Sequence, residues 1–144
     1  MNTQTAPAEE TRTLVIERDF AHSPAKLWRA LTESPLLAQW LLNNDLIPEV
    51  GRAFQFRSEP VQGWNGIIDC RVLLVDPITR LSYTWGSMGM ETVVLFILAS
   101  TPAGTHLRME QSGFGPTQDF AYKGATYGWQ NFLGKLETVL GGLD

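Results

Sequence analysis

The sequence predicts an α+β fold in which a curved antiparallel sheet of about six strands wraps around a long C-terminal helix, with two short helices after the first strand. Three patterns predict it. Two Ser-Pro pairs follow an initial strand pattern, apolar and polar residues then alternate from after Pro48 to just past Gly113, and residues 118 to about 140 repeat apolar side chains at spacings of three and four. Periods of two and 3.6 residues are typical of strands and helices. The long helix has to bury its apolar stripe, and the concave face of the sheet is the available surface.

The chain has 144 residues, a length that fits one domain. Residues 1–11 are polar, contain Ala and Pro, and have no periodicity, so we expect a flexible N-terminal tail. The remaining residues, 12–144, contain no linker, repeat or low-complexity segment. They are expected to form a single domain.

The start of the domain combines a strand with two short helices. Residues 14–20 alternate in polarity and predict a strand with one face turned inward. Ser23-Pro24 then supplies an N-cap hydroxyl and a proline at the first helical position, where the missing N–H costs nothing. Ser34-Pro35 repeats the same combination and predicts a second short helix.

Alternating residues predict the strands of the sheet, and Gly-rich or Pro-containing turns separate them. Residues 66–72, 81–85 and 107–111 each place apolar side chains on one face. Residues 92–99 are apolar on both faces, which indicates either a central strand or a strand whose outer side meets a partner.

The long C-terminal helix contains three glycines, Gly124, Gly128 and Gly134. Each weakens a helix by roughly 1 kcal/mol relative to alanine, which implies a packing or access reason for at least some of them. The apolar stripe of the helix consists of Tyr122, Ala125, Trp129, Phe132, Leu133, Leu136 and Leu140.

Composition excludes several classes of function. A net charge of −4 argues against general binding of nucleic acid or insertion at an anionic membrane. One cysteine excludes an internal disulfide, and with two histidines it makes no recognisable zinc cluster, so we expect no metal and no cofactor. The first residues resemble no signal peptide and the longest apolar run is too short to cross a bilayer, so the expected location is cytoplasmic.

Inward-facing side chains are the candidate lining of a binding cavity. One interpretation is that they fill the core; the other is that the helix crossing the mouth of the sheet leaves space for a small apolar or aromatic molecule. Gln111 lies on the same face of its predicted strand as the apolar Leu107 and Met109, so its amide should point inward. There it would meet either a ligand or a hydrogen-bond partner, a tyrosine hydroxyl or an indole N–H. The candidate ligand-binding residues are Trp40, Phe54, Phe56, Ile68, Tyr83, Trp85, Met109, Gln111, Tyr122 and Trp129.

Four stretches resemble a known family: "LVIERDFAHSPAKLWRALTESPLLAQWLL", "LSYTW", "THLRMEQSGF" and "GWQNFLGKLETVL". They are similar to the family of activator of heat-shock-protein-90 ATPase homologues (Aha-type C-terminal-like domain). This family is within the START-like (SRPBCC) superfamily, which has the helix-grip (START/Bet v-like) fold. The resemblance covers about residues 13 to 141. It implies a deep hydrophobic cavity between the sheet and the C-terminal helix. It also implies that relatives carry lipids, hormones or polyketides, act as cyclases, or stimulate a chaperone ATPase.

These observations favour a binding domain for a small hydrophobic or aromatic molecule, with no catalytic residue assigned. Ser23 and Lys26 match a serine–x–x–lysine pattern, but no partner motif follows, and Ser23 is better explained as a helix cap. Two alternatives stay open. One is a polyketide cyclase- or hydrolase-like enzyme using Gln111 and the tyrosines. The other is an interaction module that contacts a chaperone, by resemblance only, or forms a homodimer through residues 92–99.

Overall fold

A computed structural model describes residues 11–143, which form three helices and seven strands. The predicted order of elements is confirmed, and residues 1–10 of the predicted tail lie outside the described residues. The helices are α1 (Pro24–Thr32), α2 (Ser34–Trp40) and α3 (Asp119–Gly141). The strands are β1 (Arg12–Phe20), β2 (Asn43–Asn44), β3 (Ala53–Arg57), β4 (Ile67–Asp76), β5 (Arg80–Ser87), β6 (Met90–Thr101) and β7 (Gly104–Phe114).

The strands form one antiparallel sheet in the order β1-β7-β6-β5-β4-β3-β2. The first strand pairs with the last, from Arg12 opposite Phe114 to Phe20 opposite Thr105. Every other pairing joins strands that follow one another in the chain. The short strand β2 has only two residues, fewer than an alternation can reveal. The sheet therefore has seven strands where the sequence predicted about six.

The doubly apolar run of residues 92–99 lies in β6, between β5 and β7. Its inward side chains, such as Phe96 and Leu98, are buried, and the outward side chains of Leu95 and Ile97 are half-buried. The run is thus part of a central strand, the first of the two predicted alternatives. Outer apolar residues are partly covered there by the side chains of neighbouring strands.

The start of α1 has the predicted cap. Ser23 has extended backbone dihedrals, its Oγ accepts the backbone N–H of Lys26 at 3.2 Å, and Pro24 is the first helical residue. The hydroxyl satisfies one of the N–H groups that a helix start leaves unpaired. The helix then buries Leu27 and Leu31 in the core.

The cap predicted for the second short helix is wrong. The N-cap position of α2 is Glu33, which makes no side-chain cap bond, and Ser34 is already inside the helix. The Ser34 hydroxyl instead donates to the backbone oxygen of Asn44 at 2.9 Å, and Asn44 Nδ2 donates back to the Ser34 oxygen at 3.3 Å. The serine is used for a long-range contact that ties α2 to β2.

The long helix α3 packs on the inner face of the sheet and against both short helices. The buried part of its predicted stripe is Trp129, Leu133, Leu136 and Leu140. Because these side chains recur at three and four, they share one face of the helix. The fold is therefore helix-grip-like: the helix covers the cup formed by the sheet. No helix within residues 11–143 is long and apolar enough to cross a membrane.

An ion-pair cluster on the outer face joins the two terminal strands of the domain. Histidine 106 on β7 lies between two carboxylates of β1: His106 Nδ1 is 2.8 Å from Asp19 Oδ1, and Nε2 is 2.8 Å from Glu17 Oε1. A protonated imidazole can donate to both at once. Hydrogen bonds to Glu17 and Asp19, with their charges, raise the pKa of His106. Its protonated form is therefore favoured by folding.

We expect stability to depend on pH through this histidine. A group whose pKa is higher in the folded state stabilises the fold when it is protonated. That contribution is fully present below its unfolded pKa, about 6.5 for histidine, and is lost as pH rises through its folded pKa. His106→Gln should therefore lower the unfolding midpoint in urea at pH 5.5 and change it much less at pH 9. An equal loss at both pH values would contradict the role assigned to protonation.

Candidate functional site

Aromatic rings fill much of the space between the sheet and α3. The ring centroids of Phe54 and Tyr83 are 5.1 Å apart, those of Phe56 and Trp85 5.2 Å, and those of Trp85 and Trp129 5.4 Å. Such separations are typical of favourable edge-to-face and tilted contacts. The cluster runs from β3 to the helix and also includes Phe96 and Phe132.

A pocket of about 200 Å³ lies at the end of this cluster, between the sheet and the first half of α3. The strands contribute aromatic and thioether side chains and one amide, and the helix contributes mostly small residues. Mainly apolar walls with few polar groups are typical of small-molecule sites. The lining residues are Trp85, Met90, Gln111, Phe114, Ala121, Gly124, Ala125, Gly128, Trp129 and Phe132.

Small residues on α3 leave this space open. A Cβ atom added at Gly124 would have no heavy atom within 4 Å, and one added at Gly128 would meet only the Phe132 ring, at 3.9 Å. Ala121 and Ala125 continue the same side of the helix. These glycines therefore lie where a larger side chain would extend into the pocket. Keeping the pocket open is a reason for two of the three helix glycines.

A directed chain of hydrogen bonds forms the polar part of the site. Trp129 Nε1 donates to Gln111 Oε1 at 2.8 Å, and Gln111 Nε2 donates to Thr92 Oγ1 at 2.8 Å. The Thr92 hydroxyl donates to the backbone oxygen of Trp85 at 3.0 Å. Gln111 is only 2% exposed, as its inward parity predicted. Of the two partners considered for its amide, the structure has the indole N–H.

Tyr83 and Cys70 are buried and uncharged in the same interior. Among residues 11–143, the Tyr83 hydroxyl has no hydrogen-bond partner, and burial raises the pKa of this phenol well above its ordinary value. Burial, followed by the charges of Asp69 and Asp45, raises the pKa of the Cys70 thiol. A thiol must ionise to act as a nucleophile. Cys70 is therefore a small buried side chain rather than a reactive one.

The structure brings three of the ten candidate residues together at the pocket: Trp85, Gln111 and Trp129. Tyr122 is half-buried at the start of α3, with its ring 5.4 Å from that of Phe114 and 4.1 Å from the guanidinium carbon of Arg12. A ligand contact at any of the ten stays a prediction. The other six candidates, all at most 5% exposed, are Trp40, Phe54, Phe56, Ile68, Tyr83 and Met109.

Seven of the ten lining residues were not among the candidates. The two on strands, Met90 and Phe114, were missed because they lie where strand alternation is interrupted. Phe114 follows Gly113, whose φ of +103° breaks the period of two, so Gln111 and Phe114 both face inward although they are three residues apart. Met90 directly follows the turn that contains Gly89. The helix residues of the pocket did carry a signal, since Ala125 and Phe132 belong to the stripe and the glycines were noted.

A larger depression of about 530 Å³ lies on the outer face of β3, β4 and β5. Its walls include charged side chains that are already bonded within the protein: Asp69 accepts Gln55 Nε2 at 2.8 Å, and Arg71 donates to the Gly51 oxygen at 2.7 Å. This outer depression is shallow and solvated, so we consider the pocket between the sheet and α3 the better candidate. Within residues 11–143, no group of three His, Cys, Asp or Glu side chains is placed to hold a metal ion.

Comparisons with known proteins give a consistent relationship. The family model described as Activator of Hsp90 ATPase homolog 1-like protein matches residues 21–141. The crystal structure of protein MLL2253 from Mesorhizobium loti is similar with a TM-score of 0.87 and 48% identity, over 92% of this chain and 99% of that one. The solution structure of protein BH1534 from Bacillus halodurans is also similar, with a TM-score of 0.76 and 26% identity, over 90% of this chain and 96% of that one.

A more distant structure shares the fold alone. CalU16 from Micromonospora echinospora is similar with a TM-score of 0.74 and 23% identity, over 95% of this chain and 81% of that one. A comparison with curated proteins found no significant match. The fold and family are thus established by a family model and by solved structures.

The unpaired hydroxyl of Tyr83 gives a stability prediction. Tyr83→Phe removes a buried polar group that has no partner among residues 11–143, so the free energy of unfolding should rise by about 1 kcal/mol. Urea denaturation measures the change. Tyr127→Phe is the matched control, since that ring is 71% exposed and its hydroxyl reaches water, and it should change little. A loss of stability in Tyr83→Phe that Tyr127→Phe does not show would mean that the hydroxyl is hydrogen-bonded.

Proposed function

Because this chain belongs to the family of Activator of Hsp90 ATPase homolog 1-like proteins, we propose that it binds a small hydrophobic or aromatic molecule in the pocket between the sheet and α3. One observation carries the proposal: a largely apolar pocket with a single buried amide, Gln111, in its wall. Apolar walls supply affinity, and a few fixed polar groups supply orientation.

The size of the pocket limits the ligand. An apolar cavity of about 150 Å³ holds benzene, and this pocket has about 200 Å³. The expected ligand is therefore one aromatic ring with a short substituent, or a branched aliphatic group of similar volume. Part of a larger molecule could occupy the pocket while the rest extends to solvent along Gly124 and Ala121.

The energetics require no charged anchor. Burying ~250 Å² of apolar ligand surface contributes roughly 6 kcal/mol before the costs of association. The rings of Trp85 and Trp129 are held by packing before any ligand arrives, which limits the cost of ordering the site. We expect dissociation constants in the micromolar to millimolar range for single-ring compounds.

An enzymatic role has less support in this pocket. Proton transfer requires a titratable group near the reacting atoms. None of the pocket-lining residues within 11–143 is Asp, Glu, His, Lys, Arg, Cys or Tyr, and the amide of Gln111 does not titrate. The cyclase- or hydrolase-like alternative would need a substrate large enough to reach groups outside the pocket.

The expected protein partners stay predictions. A chaperone contact rests on the family resemblance, and a homodimer rests on the apolar outer side of β6. There, the outward side chains of Leu95 and Ile97 are half-buried, so the geometry does not favour either partner over solvent.

A substitution that fills the pocket tests the proposal. Ala125→Leu adds three carbons inside the pocket, which take the space of the ligand. Binding of α-methylstyrene, a single-ring hydrocarbon, should therefore weaken at least about tenfold. Titrations followed by the indole N–H resonances of Trp85 and Trp129 measure the affinity.

Ala25→Leu is the matched control, because it adds the same atoms to an exposed position on α1. It should bind as the unmodified protein does. The proposal fails if α-methylstyrene leaves both indole resonances unmoved, or if Ala125→Leu binds it as tightly as the unmodified protein.

A further inference from the structure

The orientation of the Gln111 amide is fixed by its neighbours. The indole Nε1 of Trp129 can only donate, so the amide atom 2.8 Å from it has to be the oxygen, Oε1. The nitrogen, Nε2, therefore faces Thr92. The Thr92 hydroxyl hydrogen is directed at the Trp85 backbone oxygen, so the hydroxyl oxygen is free to accept from Nε2.

This arrangement leaves one amide hydrogen on Gln111 unused. Nε2 carries two hydrogens, and the hydrogen bonds of residues 11–143 use one of them, toward Thr92. Gln111 is 2% exposed and lines the pocket, so bulk water has little access to the second hydrogen. A buried N–H without an acceptor is unfavourable, whereas a carbonyl oxygen with one bond and a spare lone pair is tolerated more readily. The polar group that this site lacks is a hydrogen-bond acceptor for the second amide hydrogen of Gln111.

We propose that the pocket selects a neutral carbonyl compound, in which the oxygen of a carbonyl group attached to an aromatic ring accepts the second N–H of Gln111. The inference rests on the proposed function and specifies its ligand class. Within residues 11–143 the pocket lining has no charged side chain, so a carboxylate or an ammonium group in the pocket would have no opposite charge beside it. Aryl ketones, aldehydes and esters satisfy the amide without introducing a charge.

Two probes of nearly the same shape separate the amide contact from apolar burial. Acetophenone carries C=O where α-methylstyrene carries C=CH₂. Water solvates the ketone more strongly, so the readout is how the ratio of their dissociation constants changes between protein variants. Gln111→Glu is the informative variant: its carboxyl group still accepts from Trp129, but in neither protonation state does it keep a spare donor.

We expect Gln111→Glu to reduce the preference for acetophenone about three- to tenfold, the usual range for one hydrogen bond. Thr92→Val is the control in the opposite direction, since it frees the other Nε2 hydrogen and should keep or increase the preference. In the unmodified protein, a side-chain amide proton of Gln111 should shift downfield with acetophenone by clearly more than the ring of α-methylstyrene shifts it. This last measurement decides the question even if a variant fails to fold.

The outcomes separate the two proposals. If both probes bind in the pocket but the ratio is the same in Gln111→Glu, or the Gln111 amide protons respond equally to both probes, the carbonyl inference is overturned and the proposed function stands. If neither probe moves the indole resonances of Trp85 and Trp129, both are overturned.

Discussion

The hydrogen bond between the Trp129 indole and the Gln111 amide joins the long helix to the sheet, and the site depends on it. The bond is 2.8 Å long, and both residues are at most 2% exposed. Hydrogen bonds in such an interior are costly to leave unmade. Because Trp129 contacts Trp85, Phe96 and Phe132 as well, the same residue sets both the position of α3 and the inner wall of the pocket.

The interior combines two kinds of packing. Toward α1 and α2, large side chains meet and leave little room; Trp40, for example, is 1% exposed and donates its indole N–H to the Ala30 oxygen at 2.9 Å. Toward the start of α3, the helix presents Ala121, Gly124 and Ala125 instead. The change from large to small residues along one helix produces a filled core at one end and a pocket at the other.

Local patterns predicted the parts of the fold that depend on period alone. Alternation in β7 placed Gln111 inward, and spacings of three and four placed Trp129 on the buried face of α3. Their contact could not be derived, because it depends on how the helix lies across strands that are far away in sequence. The pairing of β1 with β7 and the tie between Ser34 and Asn44 are non-local in the same way.

The size and position of the pocket could not be predicted from the sequence either. The resemblance implied a deep cavity, and the candidate residues were all aromatic or otherwise inward-facing, but whether rings surround a space or contact one another depends on their rotamers. Phe54, Phe56 and Tyr83 contact one another. The glycines of α3 were the better signal, since their cost to the helix pointed to the place where space is kept.

The most direct test of the account is a crystal structure of the protein soaked with 4-bromotoluene, in which anomalous scattering locates the bromine. The account predicts bromine density between Trp85, Phe114 and Gly124, with Trp129 Nε1 still within hydrogen-bonding distance of Gln111 Oε1. Bromine found only elsewhere, or an indole of Trp129 turned away from Gln111, would contradict it.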